Sequence, residues 1–270
     1  MKVKLASNYG FCFGVKRAIK IAEDYENSST MGPLIHNQDE INRLKKDYNV
    51  GLYNNLNDVK DNDTVIIRTH GIPKNDLKEL KKGVKKVINA TCPFVTTPQN
   101  IVKNMSKEGY SILIFGDIEH PEVKGVKSYA DDLDDVHIIL SVHDLKNIKF
   151  KNNKIACVAQ TTKKKETYLE IVNELILKNK EVRVFNTICD ATFENQDAAR
   201  DISIKADIMI VIGGKSSSNT KQLHSICLEN CKDSYLIENE QELEISWFKD
   251  KEFCGITAGA STPDWVIQKV

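Results

Sequence analysis

The sequence predicts an α/β protein built from three similar small α/β lobes with mostly parallel sheets. Three observations predict it. Short apolar runs alternate with longer amphipathic, Lys-rich stretches from end to end: TVIIRT, KKVINA, SILIFGD, IACVAQ, EVRVFN, DIMIVIGG and FCGITAG read as strands, and the stretches between them as helices. Strands joined through helices pair in parallel and bury both faces, which suits unbroken apolar runs. A unit then recurs at about a third of the chain: KLASNYGFC, KKVINATC and EVRVFNTIC each end a strand in a short polar turn carrying Cys, with a helix to follow. Finally, the other strand ends, PLIHN, RTHG, GDIEHPEV, AQTT, GGKSSSN and AGAST, are rich in His, Ser, Thr, Asn and Gly, at the edge where open α/β sheets hold ligands.

Cys12, Cys92 and Cys189 stand 80 and 97 residues apart, each interval about the size of one small α/β unit. The expected lobes are residues 1–92 with Cys12, His36 and His70; 93–189 with His120, Glu122 and Thr161; and 190–270 with Ser217, Ser218, Asn219 and Ser261. No Gly/Ser/Pro-rich linker separates them. Lys plus Arg equal Asp plus Glu at 38 each, so no overall field draws the chain to nucleic acid or to a membrane. The opening MKVKLASNYGF reads as an alternating strand rather than a signal peptide, and no apolar run reaches membrane-spanning length. Seven cysteines without a secretion signal point to reduced thiols, hence a cytoplasmic protein.

Cysteine thiolates are the usual ligands of iron-sulfur clusters, and three of them leave one iron of a 4Fe-4S cluster open. An open metal position separates Lewis-acid catalysis from plain electron transfer. Spacing alone leaves equally open that these are three unrelated small apolar residues. Cys157 and Cys254 fall inside strands and read as core. Cys227 and Cys231 share a helix face and read as packing.

His120 and Glu122 form an H-x-E unit after SILIFGD, with Pro121 fixing the turn. A carboxylate in a desolvated site has a raised pKa and can carry protons; the plainer alternative is a loop with a helix-capping Glu. Thr161 and Thr162 are read as opening a helix, and Lys163, Lys164 and Lys165 as its solvated face. GGKSSSNT places backbone N–H groups, hydroxyls and an amide at a helix start, which suits a diphosphate, though the phosphate-loop spacing is absent. Ser261 in AGASTPDW repeats the theme. With His36 and His70, these neutral donors can hold an anion without a Lys or Arg clamp.

Taken together, GFCFGVKRAI, MGPLIHN, RTHG, ATCPFV, HPEVKG, AQTT, NTICDAT, SSSN and TAGASTPDW resemble, in order and over essentially the whole chain, the 4-hydroxy-3-methylbut-2-enyl diphosphate reductases, the LytB/IspH family. The resemblance implies three lobes in pseudo-threefold arrangement around one 4Fe-4S cluster on Cys12, Cys92 and Cys189, with one open iron. It implies an allylic diphosphate substrate whose hydroxyl binds that iron. The diphosphate would lie on His36, His70, His120, Ser217, Ser218, Asn219 and Ser261. Glu122 would relay protons, Thr161 would orient the hydroxyl, and a reduced ferredoxin- or flavodoxin-type protein would supply electrons. Quinolinate synthase, another 4Fe-4S enzyme with a threefold α/β repeat, fits the SSSN and HPEVKG motifs poorly. A non-catalytic iron-sulfur sensor or electron carrier gains nothing from an open iron. Two departures stand out. Glu194 and Asn195 precede Gln196 where the family commonly carries a basic residue, which bears on the donor-docking surface. The ending PDWVIQKV reads as a helix cut short.

Overall fold

A computed structural model describes residues 1–270. Its strands form three four-stranded sheets, all parallel. The first holds β2 (Ser29–Met31), β3 (Gly51–Tyr53), β4 (Thr64–Ile67) and β5 (Lys86–Asn89) in the order β3-β2-β4-β5. In the second, β6 (Ser111–Phe115), β7 (Val136–Ile139), β8 (Lys154–Ala159) and β9 (Glu181–Val184) lie in the order β7-β6-β8-β9. The third joins β10 (Ile208–Ile212), β11 (Ser234–Ile237) and β12 (Phe253–Ala258) to the amino-terminal β1 (Lys2–Leu5), in the order β11-β10-β12-β1. Counted along the chain, each sheet runs second, first, third, fourth, provided that β1 takes the fourth place in the last one.

The expected first segment, 1–92, thus contributes its opening strand to the sheet of the carboxy-terminal segment. Lys2 pairs with Phe253 and Leu5 with Ile256. The chain divides into two compact units accordingly. One comprises Met1–Arg17, Ile35–Asp47 and Asp190–Val270 and contains the third sheet; the other comprises Ala18–Leu34 and Tyr48–Cys189 and contains the first two.

The helices are α1 (Phe13–Asp24), α2 (Gln38–Tyr48), α3 (Lys74–Gly83), α4 (Pro93–Lys107), α5 (Pro121–Lys127), α6 (Lys165–Lys178), α7 (Asp190–Ser203), α8 (Ser218–Asn230) and α9 (Asp264–Lys269). Central strands are buried on both sides, as the unbroken apolar runs require. In β10, Met209 and Val211 pack with Ala198, Ala199 and Ile202 of α7 and Leu223 of α8, while Ile208, Ile210 and Ile212 face Val266 and Ile267 of α9. In β6, Ile112 and Ile114 meet Val102 and Met105 of α4 and Val123 and Val126 of α5. Fully burying each such side chain stabilises the fold by about 1.5–3 kcal/mol. Cys157, Cys227, Cys231 and Cys254 are core residues, as the sequence suggests. No helix is long and apolar enough to cross a membrane.

Candidate functional site

The three sheets treat their cysteines alike. Each Cys lies beyond the fourth strand and donates its backbone N–H to the carbonyl of the second residue past the third strand. Cys92 donates to Thr69 at 2.9 Å, Cys189 to Thr161 at 2.9 Å and Cys12 to Ala260 at 3.3 Å. The loops leading there differ in length, from Leu5 to Cys12, Asn89 to Cys92 and Val184 to Cys189, yet they converge on one anchor. A helix follows each: α1 from Phe13, α4 with Cys92 as its N-cap, α7 from Asp190. Cys12, Cys92 and Cys189 are all partly exposed. The other four are enclosed, and burial pushes the Cys157 and Cys227 thiols up to about 12 and that of Cys254 up to about 11. Only the first three are therefore suited to act as thiolate ligands.

The first strand of each sheet has its own equivalence. A glycine follows directly, and the fifth residue on is His36 after Met31, His120 after Phe115 and Ser217 after Ile212. Past the third strands come His70, the Thr161–Thr162 pair and Ser261. The polar tips of the sequence are thus repeats of two topological positions.

In the unit of the third sheet, Ser217 caps α8, its hydroxyl accepting from Thr220 N at 3.3 Å. Asn219 follows in the first turn, and neither its Oδ1 nor its Nδ2, both buried, has a partner. An amide buried with four empty hydrogen-bonding positions is costly unless something else fills them, which makes Asn219 a candidate ligand contact. Gly214 presses on the His36 backbone so closely that a Cβ would collide with the His36 carbonyl, and this sets His36 beside the SSSN turn. A Cβ on Gly259 would likewise strike Thr220 Oγ1, so the Ser261 turn lies against the start of α8. Asn37 caps α2 through its Oδ1 to Glu40 N at 3.0 Å, and the buried Glu40 receives both Arg43 and Trp265 Nε1. That network fixes the helix next to which His36 stands.

In the other unit the site residues form a connected chain. Thr69, which anchors Cys92, donates its hydroxyl to Leu34 O at 2.9 Å and lies 3.4 Å from His70 Nδ1. Its single hydrogen is already used, so His70 Nδ1 is the donor of that pair and carries a hydrogen. The His70 ring meets the His120 ring edge-on, with centroids 5.3 Å apart. His120 Nδ1 accepts from Glu122 N at 3.2 Å, which caps α5 and leaves the His120 hydrogen on Nε2.

Glu122 does not cap the helix. It is 1% exposed, and its two oxygens accept from Thr161 N and Thr161 Oγ1, each at 2.7 Å. Burial raises its pKa, while the two Thr161 bonds and the charge of Lys163 pull the other way. Thr161 and Thr162 do not open α6 as expected; they form a turn in which Thr161 is held by Glu122, and the helix begins at Lys165 with Lys164 as its N-cap. Lys163 is buried, contrary to the expected solvated face, because it belongs to this turn. Sequence reasoning also missed Thr69. Its position in RTHG, between a strand and His70, was the available signal.

Comparison with known proteins gives the family and the fold. The LytB protein family profile matches residues 3–270. A 4-hydroxy-3-methylbut-2-enyl diphosphate reductase of Sulfurovum sp. (strain NBC37-1) is 64% identical over 270 residues, covering 100% of this chain and 97% of its own. A solved structure of (E)-4-hydroxy-3-methyl-but-2-enyl diphosphate reductase, the terminal enzyme of the non-mevalonate pathway, is 41% identical with a TM-score of 0.71, covering 99% of this chain and 96% of that one. The E-1-hydroxy-2-methyl-but-2-enyl-4-diphosphate reductase of Plasmodium falciparum is 31% identical with a TM-score of 0.92, over 99% and 86%.

Proposed function

The chain belongs to the LytB family, and on that premise we propose how its residues carry out the reaction. It reduces (E)-4-hydroxy-3-methylbut-2-enyl diphosphate, the terminal step of the non-mevalonate route to isoprenoids. Two electrons and two protons remove the allylic hydroxyl as water and leave isopentenyl or dimethylallyl diphosphate. Cys12, Cys92 and Cys189 hold one 4Fe-4S cluster, a role supported by their shared anchoring and exposure. When bound, the cluster supplies the electrons and an open iron for the substrate oxygen.

The diphosphate is received by His36, His70 and His120 and by the neutral donors Ser217, Ser218, Asn219 and Ser261. The α8 N-terminus adds its backbone N–H groups and its dipole. His120 presents an Nε2 hydrogen. His70 stands edge-on to His120, with ring centroids 5.3 Å apart. Binding this remote group positions the reacting end.

Glu122 carries the protons. Protonated on Oε2, it can donate to Thr161 Oγ1, which turns the threonine hydrogen toward the substrate. The Thr161 N–H stays on Oε1 throughout and keeps the carboxyl in place. The observation that carries this reading is that Thr161 clasps Glu122 with its N–H and hydroxyl while its carbonyl anchors Cys189. A reduced ferredoxin- or flavodoxin-type protein supplies electrons, in the cytoplasm.

The test is anaerobic turnover of the hydroxylated allylic diphosphate with a strong reductant, beside iron and sulfide counts. With an intact cluster and no five-carbon alkenyl diphosphate formed, the reading fails. Glu122→Gln should keep iron and substrate affinity but lose on the order of 100-fold or more in turnover. Unchanged turnover would remove Glu122 from the mechanism.

A further inference from the structure

Lys163 has no place in the proton path described above. It lies in the turn between β8 and α6 and is only 9% exposed. Its backbone is held by Lys163 N donating to Gln160 O at 3.2 Å. Its ammonium stands 5.8 Å from the centre of the Phe115 ring, at the outer edge of cation–π contact, and no carboxylate lies within ion-pair distance of it. Two acids act on it through space, Asp117 from the turn after β6 and Glu122 from α5. Gln160 ties this cluster together, its Oε1 accepting from Asp117 N at 3.0 Å and its Nε2 donating to Thr162 Oγ1 at 3.1 Å. A lysine serving solubility would extend into water, as its long flexible stem allows. This one is held inside, two residues past the Thr161 whose N–H and hydroxyl each bond the Glu122 carboxyl at 2.7 Å.

We infer that Lys163 is a positioning residue for the reduction: its buried positive charge acts on Glu122 and keeps that carboxyl able both to release a proton and to regain one. The inference rests on Glu122 as the proton carrier. Burial alone drives Glu122 toward its neutral form, and a carboxyl locked neutral releases nothing. Two influences oppose burial. The Thr161 bonds rearrange as the proton moves, whereas the Lys163 charge stays constant. The groups that bear on the pair come from three elements. His120 on the α5 side accepts the Glu122 N–H, Thr161 and Lys163 come from the turn after β8, and Asp117 from the turn after β6 acts on Lys163. Burial holds the Lys163 pKa below its ordinary value and the two acids raise it again, so lysine and glutamate oppose each other's drift toward neutrality.

The experiment compares wild type, Lys163→Met and Lys163→Arg as holoenzymes by two readouts. One is an infrared titration of the protonated carboxyl band, assigned to Glu122 by its loss in Glu122→Gln; the other is the pH profile of turnover. In Lys163→Met the carboxyl should stay protonated to higher pH, with the band midpoint and the alkaline limb of turnover both moving up by about one pH unit. Lys163→Arg should return both close to wild type, and KM for the diphosphate should not change. A merely structural lysine would lower kcat or stability while leaving both midpoints in place, and that result overturns the inference. Should Lys163→Met fail to fold, Lys163→Gln is held to the same criterion. Moved band midpoints combined with full turnover in Glu122→Gln would overturn the catalytic role of Lys163 together with the carrier role of Glu122. Unmoved midpoints with a disabled Glu122→Gln would overturn the role of Lys163 alone.

Discussion

Apart from His36, which belongs to the unit of the third sheet, the candidate residues of the two compact units are of different kinds. At the tips of the third sheet, Ser217, Ser218, Asn219 and Ser261 offer hydroxyls, an amide and a helix N-terminus, none of which changes charge between pH 5 and 9. At the tips of the first two sheets stand His70, His120, Glu122 and Lys163, all ionisable, three of them at most 9% exposed. Neutral donors hold an anion without being titrated by it. Buried ionisable groups trade stability for protons that move. The difference teaches that one sheet topology can present neutral donors or ionisable groups, and under the proposed function these are a fixed clamp and a proton store.

The cysteines are where this contrast should vanish. If the shared anchor makes the three thiols equivalent, Cys12→Ser in one unit and Cys92→Ser in the other should each abolish turnover and most bound iron. Iron retained in Cys12→Ser would remove the third sheet from cluster binding. Cys157→Ser should keep its iron and lose only stability, by about 1–3 kcal/mol for a polar group placed in the core.

The next effect separates the units. Thr161→Val strips one donor from the buried Glu122 carboxyl, so it should destabilise the chain by about 1–3 kcal/mol in denaturant unfolding and lower kcat. Asn219→Ala removes an amide that has no partner, so folding stability should hold or rise. KM for the diphosphate should still climb about 10-fold, since a hydrogen bond to a charged group contributes about 1.5–3 kcal/mol. A large stability loss in Asn219→Ala would mean that its role is structural.

The smallest effect lies in the pH dependence of stability. Burial raises the Glu122 pKa in the folded chain above its unfolded value. Its contribution is therefore fully present below the unfolded carboxylate range and is lost as pH rises through the folded value. Glu122→Gln should show a shallower decline of unfolding free energy with rising pH than wild type. Parallel curves would mean that folding leaves the Glu122 pKa unshifted.

The long apolar runs made β4, β6, β8, β10 and β12 legible, because central parallel strands must be apolar on both faces, while the edge strands β5 and β9 were read from their short apolar runs leading into NATC and NTIC. The shorter β2, β3, β7 and β11 escaped notice: STM and GLY are too brief to carry a pattern, and VHII and SYLI sit among polar neighbours. The cysteines and strand-tip residues could be read because their chemistry is unusual for a turn. What their neighbours do could not be read, since it depends on contacts across the fold. Lys163 sits beside two exposed-looking lysines in sequence, and its burial comes with the turn at Thr161 and Thr162 that precedes the start of α6 at Lys165. The membership of β1 depended on a pairing partner some 250 residues away.

That last pairing sets an order of events during synthesis. Sheets one and two are complete once residue 184 has left the ribosome, so their unit can fold as the chain grows. Lys2 finds Phe253 only after some 250 further residues have been made, a contact of extreme sequence separation and correspondingly slow to form. Until then Cys12 lacks the Ala260 carbonyl that fixes its turn. The first cysteine to be made is thus the last to be placed, and a nascent chain released early would be left with an incomplete set of thiols.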